Sequence, residues 1–277
     1  MDKPVVGRSV SAVRRAYADV GGRQVHYRVA GERGAPVLVL FHQSPSTSAM
    51  YQSIMEKLTG RFYLLAPDSP GFGGSDPLEG GDSIPAYAGH LSAWLDGMKV
   101  SSCGFFGHHT GAAVATELAS QRPDLCSALA LSGPTLLTDE QRAVLPGSVA
   151  GVPADADGNH LLELWQRLRA KDPRVPLALS QREMLSALHC GEHYRGSYQA
   201  VCDHDYEACL DALHCPVLAF AGEDDALLSA VEPTLARLQC GETRAPIAAA
   251  RTYVCESHAE EVATILADFF GAARNEE

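Results

Sequence analysis

The chain has 277 residues, 46% of them apolar and 20% charged, with a formal charge of −12 at pH 7. That length suits one large α/β core with an insertion rather than two independent cores, and the acidic balance argues against nucleic acid or anionic membrane as partners, since both require a basic face. The eight cysteines form no Cys-x-x-Cys pair, no secretory signal precedes the domain and no apolar run reaches bilayer length, so the sequence reads as a cytoplasmic protein with free thiols and no transmembrane helix.

Taken in order, the first fifteen residues, with Lys3, Arg8, Arg14 and Arg15, read as a short arm. Residues 16–20 and 24–29 alternate around Gly21-Gly22, a hairpin signal. Residues 36–41 form a continuous apolar run, as expected of a strand buried on both faces, which ends in His42-Gln43-Ser44-Pro45 before a helix over about 47–58. A strand over 62–66 leads into Asp68-Ser69-Pro70-Gly71-Phe72-Gly73-Gly74-Ser75, and 84–98 carries a helical stripe through Ile84, Tyr87, Leu91, Trp94, Leu95 and Met98.

The next stretch organises the chain. An apolar strand over 103–106 runs without a break into Gly107-His108-His109-Thr110-Gly111 and then into an Ala-rich helical pattern, which makes a strand, a sharp turn and a helix. Residues 128–132 form another buried strand, 161–168 and 182–188 carry helical patterns, and 216–221 restores a strand that ends in Gly222-Glu223-Asp224-Asp225. Residues 252–255 read as the last strand, followed by Glu256-Ser257-His258 and a helix over 259–270. Strands alternating with helices predict a mostly parallel, doubly wound sheet.

The Gly-x-x-x-Gly turn resembles the nucleophile elbow of the α/β-hydrolase family, Gly-x-nucleophile-x-Gly, with His109 where that family usually has Ser. Histidine tolerates positive φ better than most residues, so the backbone of the turn survives the replacement. The resemblance extends to His42-Gln43-Ser44-Pro45, similar to the family's His-Gly-x-Pro oxyanion loop with Gln43 in place of Gly, and to the Asp-x-x-Gly-x-Gly-x-Ser loop at Asp68, whose role there is more often structural than catalytic.

The resemblance implies an α/β-hydrolase fold: a mostly parallel twisted sheet flanked by helices, with a core of residues 1–133 and 214–277 and a helical lid over 134–213, inserted after the sixth strand. It also implies that Asp225 is the acid, with Asp224 as the alternative if the turn is shifted by one, and that His258 is the base. The backbone N–H groups of Ser44 and Thr110 would form the oxyanion site, beside His42 and Gln43. In the lid, Trp165, Leu168, Met184, Leu185, Leu188 and Tyr194 fit helix packing as well as pocket lining, so none is assigned.

Several functions stay open on this reading. His109 could act as a nucleophile in hydrolysis of an ester, thioester or C–C bond next to a carbonyl in a small apolar molecule, with a His258/Asp225 base pair. It could pair with His258 as acid and base in a non-hydrolytic lyase or isomerase, or mark a catalytically silent small-molecule-binding protein. A metal held by His42, His109, His258 and Asp225 is chemically conceivable, but no spacing demands it, and the histidines around His204 match no familiar ligand pattern. No phosphate-cradling Gly-rich loop is present, so no organic cofactor is implied. The expected partner is a small-molecule substrate, and a homodimer is left open.

Overall fold

The computed structural model describes residues 12–149 and 154–273. Lys3 and Arg8 of the expected arm lie outside the described residues, whereas Arg14 and Arg15 belong to the first strand, which corrects that part of the reading.

Among the described residues eight strands form one sheet: β1 (Arg14–Val20), β2 (Arg23–Ala30), β3 (Val37–Phe41), β4 (Tyr63–Pro67), β5 (Cys103–His108), β6 (Cys126–Ser132), β7 (Val217–Phe220) and β8 (Gly241–Thr243), in the order β1-β2-β4-β3-β5-β6-β7-β8. β1 and β2 pair antiparallel, as do β2 and β4, and all other pairs are parallel. The central strands are apolar on both faces because helices cover both. Val39, Phe41, Phe105, Leu129 and Leu131 join one core cluster while Leu38, Leu40, Phe106, Ala128, Ala130, Leu218 and Phe220 join the other, the period of two that a covered parallel strand requires.

The helices of the core are α1 (Gln52–Leu58), entered through a short 3-10 turn at Ser48–Tyr51, then α2 (Ile84–Gly97) and α3 (Thr110–Gln121). Between β6 and β7 come α4 (Asp139–Ser148), α5 (Asn159–Lys171), α6 (Leu177–Cys190), α7 (Glu192–Asp203) and α8 (Tyr206–Asp211), a helical insertion after the sixth strand. The chain closes with α9 (Val231–Ala236), α10 (Val254–Ser257) and α11 (Ala259–Ala272). One face of the sheet carries the packed pair α2 and α3, and α1 packs against α11 in the other core cluster.

The expected last strand is corrected. Tyr253, Val254 and Cys255 are β-forming by composition but are 1% exposed or less, and Val254 and Cys255 lie in the helical turn α10, packed in the second core cluster. The last strand is instead β8, Gly-Glu-Thr, exposed along its whole length at the sheet edge. Tertiary burial overrode local propensity in the first case, and an edge position removed the hydrophobic signal in the second.

All eight cysteines are free. Among the described residues no helix is long and apolar enough to cross a membrane.

Candidate active site

The elbow forms at the end of β5. His109 has φ 49° and ψ −115°, a backbone state that costs on the order of 1–3 kcal/mol for a non-glycine residue and persists only where the surroundings over-determine it. They do so here through close approach. A Cβ on Gly107 would stand 2.2 Å from the Gly111 carbonyl oxygen, and one on Gly111 would stand 1.9 Å from that of Phe41, so glycine is required at both ends of the turn. The backbone N–H of His109 also donates to the Ser132 carbonyl at 3.0 Å, which fixes the turn to β6.

His109 and Asp225 are brought together. Nε2 of His109 lies 2.9 Å from Oδ2 and 3.1 Å from Oδ1 of the carboxylate, whose side chain is 1% exposed. A carboxylate only accepts, so Nε2 carries a proton, and with a single proton on the ring Nδ1 is the nitrogen that holds the lone pair. Burial opposes the charge of Asp225, but the adjacent His109 ring and the Leu227 N–H, which donates to Oδ1 at 2.8 Å, outweigh it and hold the carboxyl below its usual range.

The sequence reading paired Asp225 with His258, and the structure corrects this. The His258 ring lies 2.9 Å from the Ser257 hydroxyl, through Nδ1, at the N-terminus of α11, and His258 does not line the cavity that His109 faces. The displacement follows from the misplaced last strand, since with Tyr253–Ser257 folded inward the loop passes the elbow at Thr252. The Thr252 carbonyl lies 2.8 Å from Nε2 of His108.

His108 is fully buried and stacks on His109, ring centroids 4.1 Å apart. Burial first, and then the neighbouring His109, push its pKa down to about 3, so the ring is neutral. Its proton sits on Nε2, toward the Thr252 carbonyl, which leaves Nδ1 to accept from the Ser132 hydroxyl at 3.0 Å. This ring ties the elbow, β6 and the Thr252 loop together without placing a second charge beside His109.

The other predicted site residues divide into two groups. Ser44 and Thr110 line the cavity with His109, and Thr110 begins α3, where first-turn N–H groups have no intrahelical acceptor. His42 and Gln43 sit behind them, 1% and 3% exposed. The Ser69 N–H donates to Nε2 of His42 at 2.8 Å, so Nδ1 must carry the ring proton and donates to the Gln43 carbonyl at 2.9 Å. Burial lowers the pKa of this ring as well. Both nitrogens are used by the backbone, so His42 braces the oxyanion-type loop and faces neither substrate nor metal. Gln43 accepts from the Thr252 hydroxyl at 3.1 Å.

The cavity measures about 890 Å³. Leu137, Leu145, Val149 and Leu227 give it apolar walls, and most of its rim comes from the helical insertion. Of the six insertion residues weighed from the sequence, only Tyr194 lines it. Helix α6 is clasped to the oxyanion-type loop by the Ser46 hydroxyl, which donates to the buried Glu183 carboxylate at 2.9 Å. Sequence reasoning missed Lys171, at the end of α5, which lines this cavity with its ammonium against the Tyr194 and Tyr198 hydroxyls. Arg167-x-Arg169-x-Lys171 reads as a basic helix terminus complementing the dipole, and only the fold shows where the last side chain goes.

Asp68 is structural. It accepts from the His26 ring at 2.7 Å and from the Ser48 and Gly74 N–H groups at 2.7 and 3.0 Å. His204 meets the Glu117 carboxylate at 2.7 Å and the Cys209 thiol donates to the same carboxylate at 2.9 Å, beside a separate cavity, and these hydrogen bonds, that of His204 first, hold Glu117 down to about 2.

The chain matches the α/β hydrolase fold family over residues 36–239. It is 29% identical over 157 residues to an uncharacterized protein of Mycobacterium tuberculosis, a match covering 57% of this chain and 45% of that one, so it spans less than half of that relative's length. It is 26% identical over 234 residues to a 2-(acetamidomethylene)succinate hydrolase of Mesorhizobium japonicum, covering 76% and 78% of the two chains. A solved hydrolase structure from Pseudomonas aeruginosa superposes with a TM-score of 0.79 at 21% identity over 93% of this chain and 98% of that one. With the sheet order, the elbow and the helical insertion in place, the chain belongs to the α/β hydrolase fold family.

Proposed function

We propose that this protein is a hydrolase in which the elbow histidine acts as a general base rather than as a nucleophile, cleaving an ester, amide or related bond at a carbonyl in a small molecule held under the helical insertion. The observation that carries this reading is the hydrogen bond between His109 and Asp225. In a serine enzyme of this type the acid orients a separate histidine, which activates the hydroxyl. Here the imidazole stands at the elbow itself and reaches the acid directly, so one side chain fills both places.

The chemistry follows from the proton positions. Nδ1 of His109 takes a proton from water as the water oxygen attacks the substrate carbonyl carbon. Asp225 stabilises the imidazolium that results, and the N–H groups of Ser44 and Thr110 stabilise the oxyanion at the head of α3, where the helix dipole also favours negative charge. Collapse of the tetrahedral adduct breaks the bond to the leaving group, which takes the proton back from His109. Neutral His108 keeps the neighbouring position uncharged, so formation of the imidazolium meets no like charge. A nucleophilic His109 would need a second base to activate water for the acyl-imidazole, and His258 lies away from the cavity. The Mesorhizobium relative, named a 2-(acetamidomethylene)succinate hydrolase, supports hydrolysis of a polar small molecule.

Turnover of activated esters in ¹⁸O-labelled water, with rapid acid quenching and intact-mass analysis, tests this reading. One labelled oxygen in the acid product and no mass increment on the protein are expected. An acyl adduct on His109 would replace the general-base mechanism with nucleophilic catalysis, and a product without label would replace hydrolysis with elimination or isomerisation.

A further inference from the structure

The protein is strongly acidic overall, yet among the described residues the charged side chains lining the catalytic cavity are Lys171, Arg167 and Arg251 against the single acid Asp224. Lys171 is the most unusual of them. Its Nζ lies 3.2 Å from the Tyr198 hydroxyl and 3.5 Å from that of Tyr194, and among the described residues it forms no ion pair. Burial raises the pKa of Tyr194 and of nearby Tyr253, so these phenols are neutral at neutral pH and do not cancel the ammonium charge. On a half-buried side chain, an ammonium that meets only hydroxyls and ring faces lacks the counter-charge such a group ordinarily requires.

Its position relates it to the chemistry. Tyr198 also donates to the Ser44 carbonyl at 3.4 Å, so Lys171 stands two hydrogen bonds from the oxyanion-type loop. Nε of Arg251, next to Thr252, is buried without a hydrogen-bond partner and lies 3.7 Å from Asp224. Two cations with unfilled hydrogen-bonding capacity therefore border one cavity, whose low-dielectric walls concentrate their field.

We propose that the cavity takes an organic anion, a small molecule bearing a carboxylate, with the Lys171 ammonium as its counter-charge and Arg251 as an auxiliary donor. The proposal rests on the hydrolytic reading only for which bond is then broken, because the binding itself needs no catalysis. The carboxylate lies on the insertion side of the cavity and the scissile carbonyl on the elbow side, so Lys171 sets which substrates are accepted and His109 acts on them. Tyr198 links the two subsites and so couples occupancy of the anion position to the Ser44 loop.

The test is calorimetric titration of the full chain with butyrate and succinate against the neutral isostere butyramide, for wild type, Lys171→Met, Lys171→Arg and His109→Ala. Carboxylates should bind and butyramide should not. Lys171→Met should weaken carboxylate binding about 10- to 100-fold, the range for losing one charged hydrogen-bonding partner, while Lys171→Arg restores most of it. His109→Ala should still bind, and a wild type that binds carboxylates yet turns over no ester would mark failure of the hydrolytic reading alone, distinct from failure of the anion site. Equal binding of butyrate and butyramide by the wild type would overturn the proposal whatever the variants do, as would unchanged carboxylate affinity in a folded Lys171→Met protein.

Discussion

The carboxylate of Asp225 accepts its hydrogen bond from His109 at 2.9 Å, from a residue 116 positions earlier at the head of α3. Replacing Asp225 with Asn keeps the shape but lets the amide offer either an acceptor or a donor, so the ring is free to take the other tautomer and the imidazolium loses its stabilising charge. Asp225→Asn should lower kcat about 10²- to 10⁴-fold, the range of general acid–base contributions, with KM little changed. Steady-state kinetics of the variant on an activated ester checks this.

Gly133 makes room for that pair. At φ +61° it closes β6, and a Cβ there would stand 2.4 Å from Cδ2 and 2.6 Å from Nε2 of His109. Gly133→Ala should push the ring off the carboxylate and lower activity about 100-fold, since small misplacements of a catalytic group cost that much. The left-handed backbone adds only about 1–2 kcal/mol of strain, so the variant should remain folded by circular dichroism while it loses turnover.

His108 gives the protein an acid-sensitive side. Its folded pKa is depressed to about 3, whereas the unfolded ring takes a proton below about 6.5. The unfolded state thus binds more protons between these limits, so this contribution is complete above about pH 6.5 and is lost as pH falls toward 3. Asp225, also depressed, adds a loss of the same sign below the usual carboxylate range near 3.9. Urea unfolding from pH 7 to 4 should show stability falling, and His108→Gln should make the slope shallower. An equal slope in the variant would assign the acid sensitivity to other groups.

Asp68 supports the loop around the site without entering the chemistry. It is 2% exposed and accepts three hydrogen bonds, one from the His26 ring, so Asp68→Ala leaves buried donors unpaired. A loss of roughly 3–5 kcal/mol in unfolding free energy is expected, typical of breaking a buried pair. Residual activity in the folded fraction should stay near the wild-type value per active molecule.

Much of this architecture was legible in the sequence because it rests on steric necessity. The glycines of the elbow have no substitute at contacts of 2.2 and 1.9 Å, and the central strands are apolar on both faces because helices cover both. Asp225 was read differently, from the resemblance of Gly222-Glu223-Asp224-Asp225 to the family's acid turn, with Asp224 as the alternative. The histidine partner was misread because residues 252–255 carry strand composition in a buried turn while the true edge strand is short, polar and exposed. Lys171 carried no signal at all, since a basic residue closing an amphipathic helix has an ordinary local explanation and its direction is decided by how α5 lies over the core.

The most direct measurement compares His258→Ala with His109→Ala in hydrolysis of 4-nitrophenyl hemisuccinate, an activated ester that also carries a carboxylate. His258→Ala should retain wild-type kcat within a factor of about two, as substitutions of half-exposed residues away from a site usually do, while His109→Ala falls to the uncatalysed rate. Loss of activity in a folded His258→Ala protein, or undiminished activity in His109→Ala, would contradict the assignment of the base to the elbow.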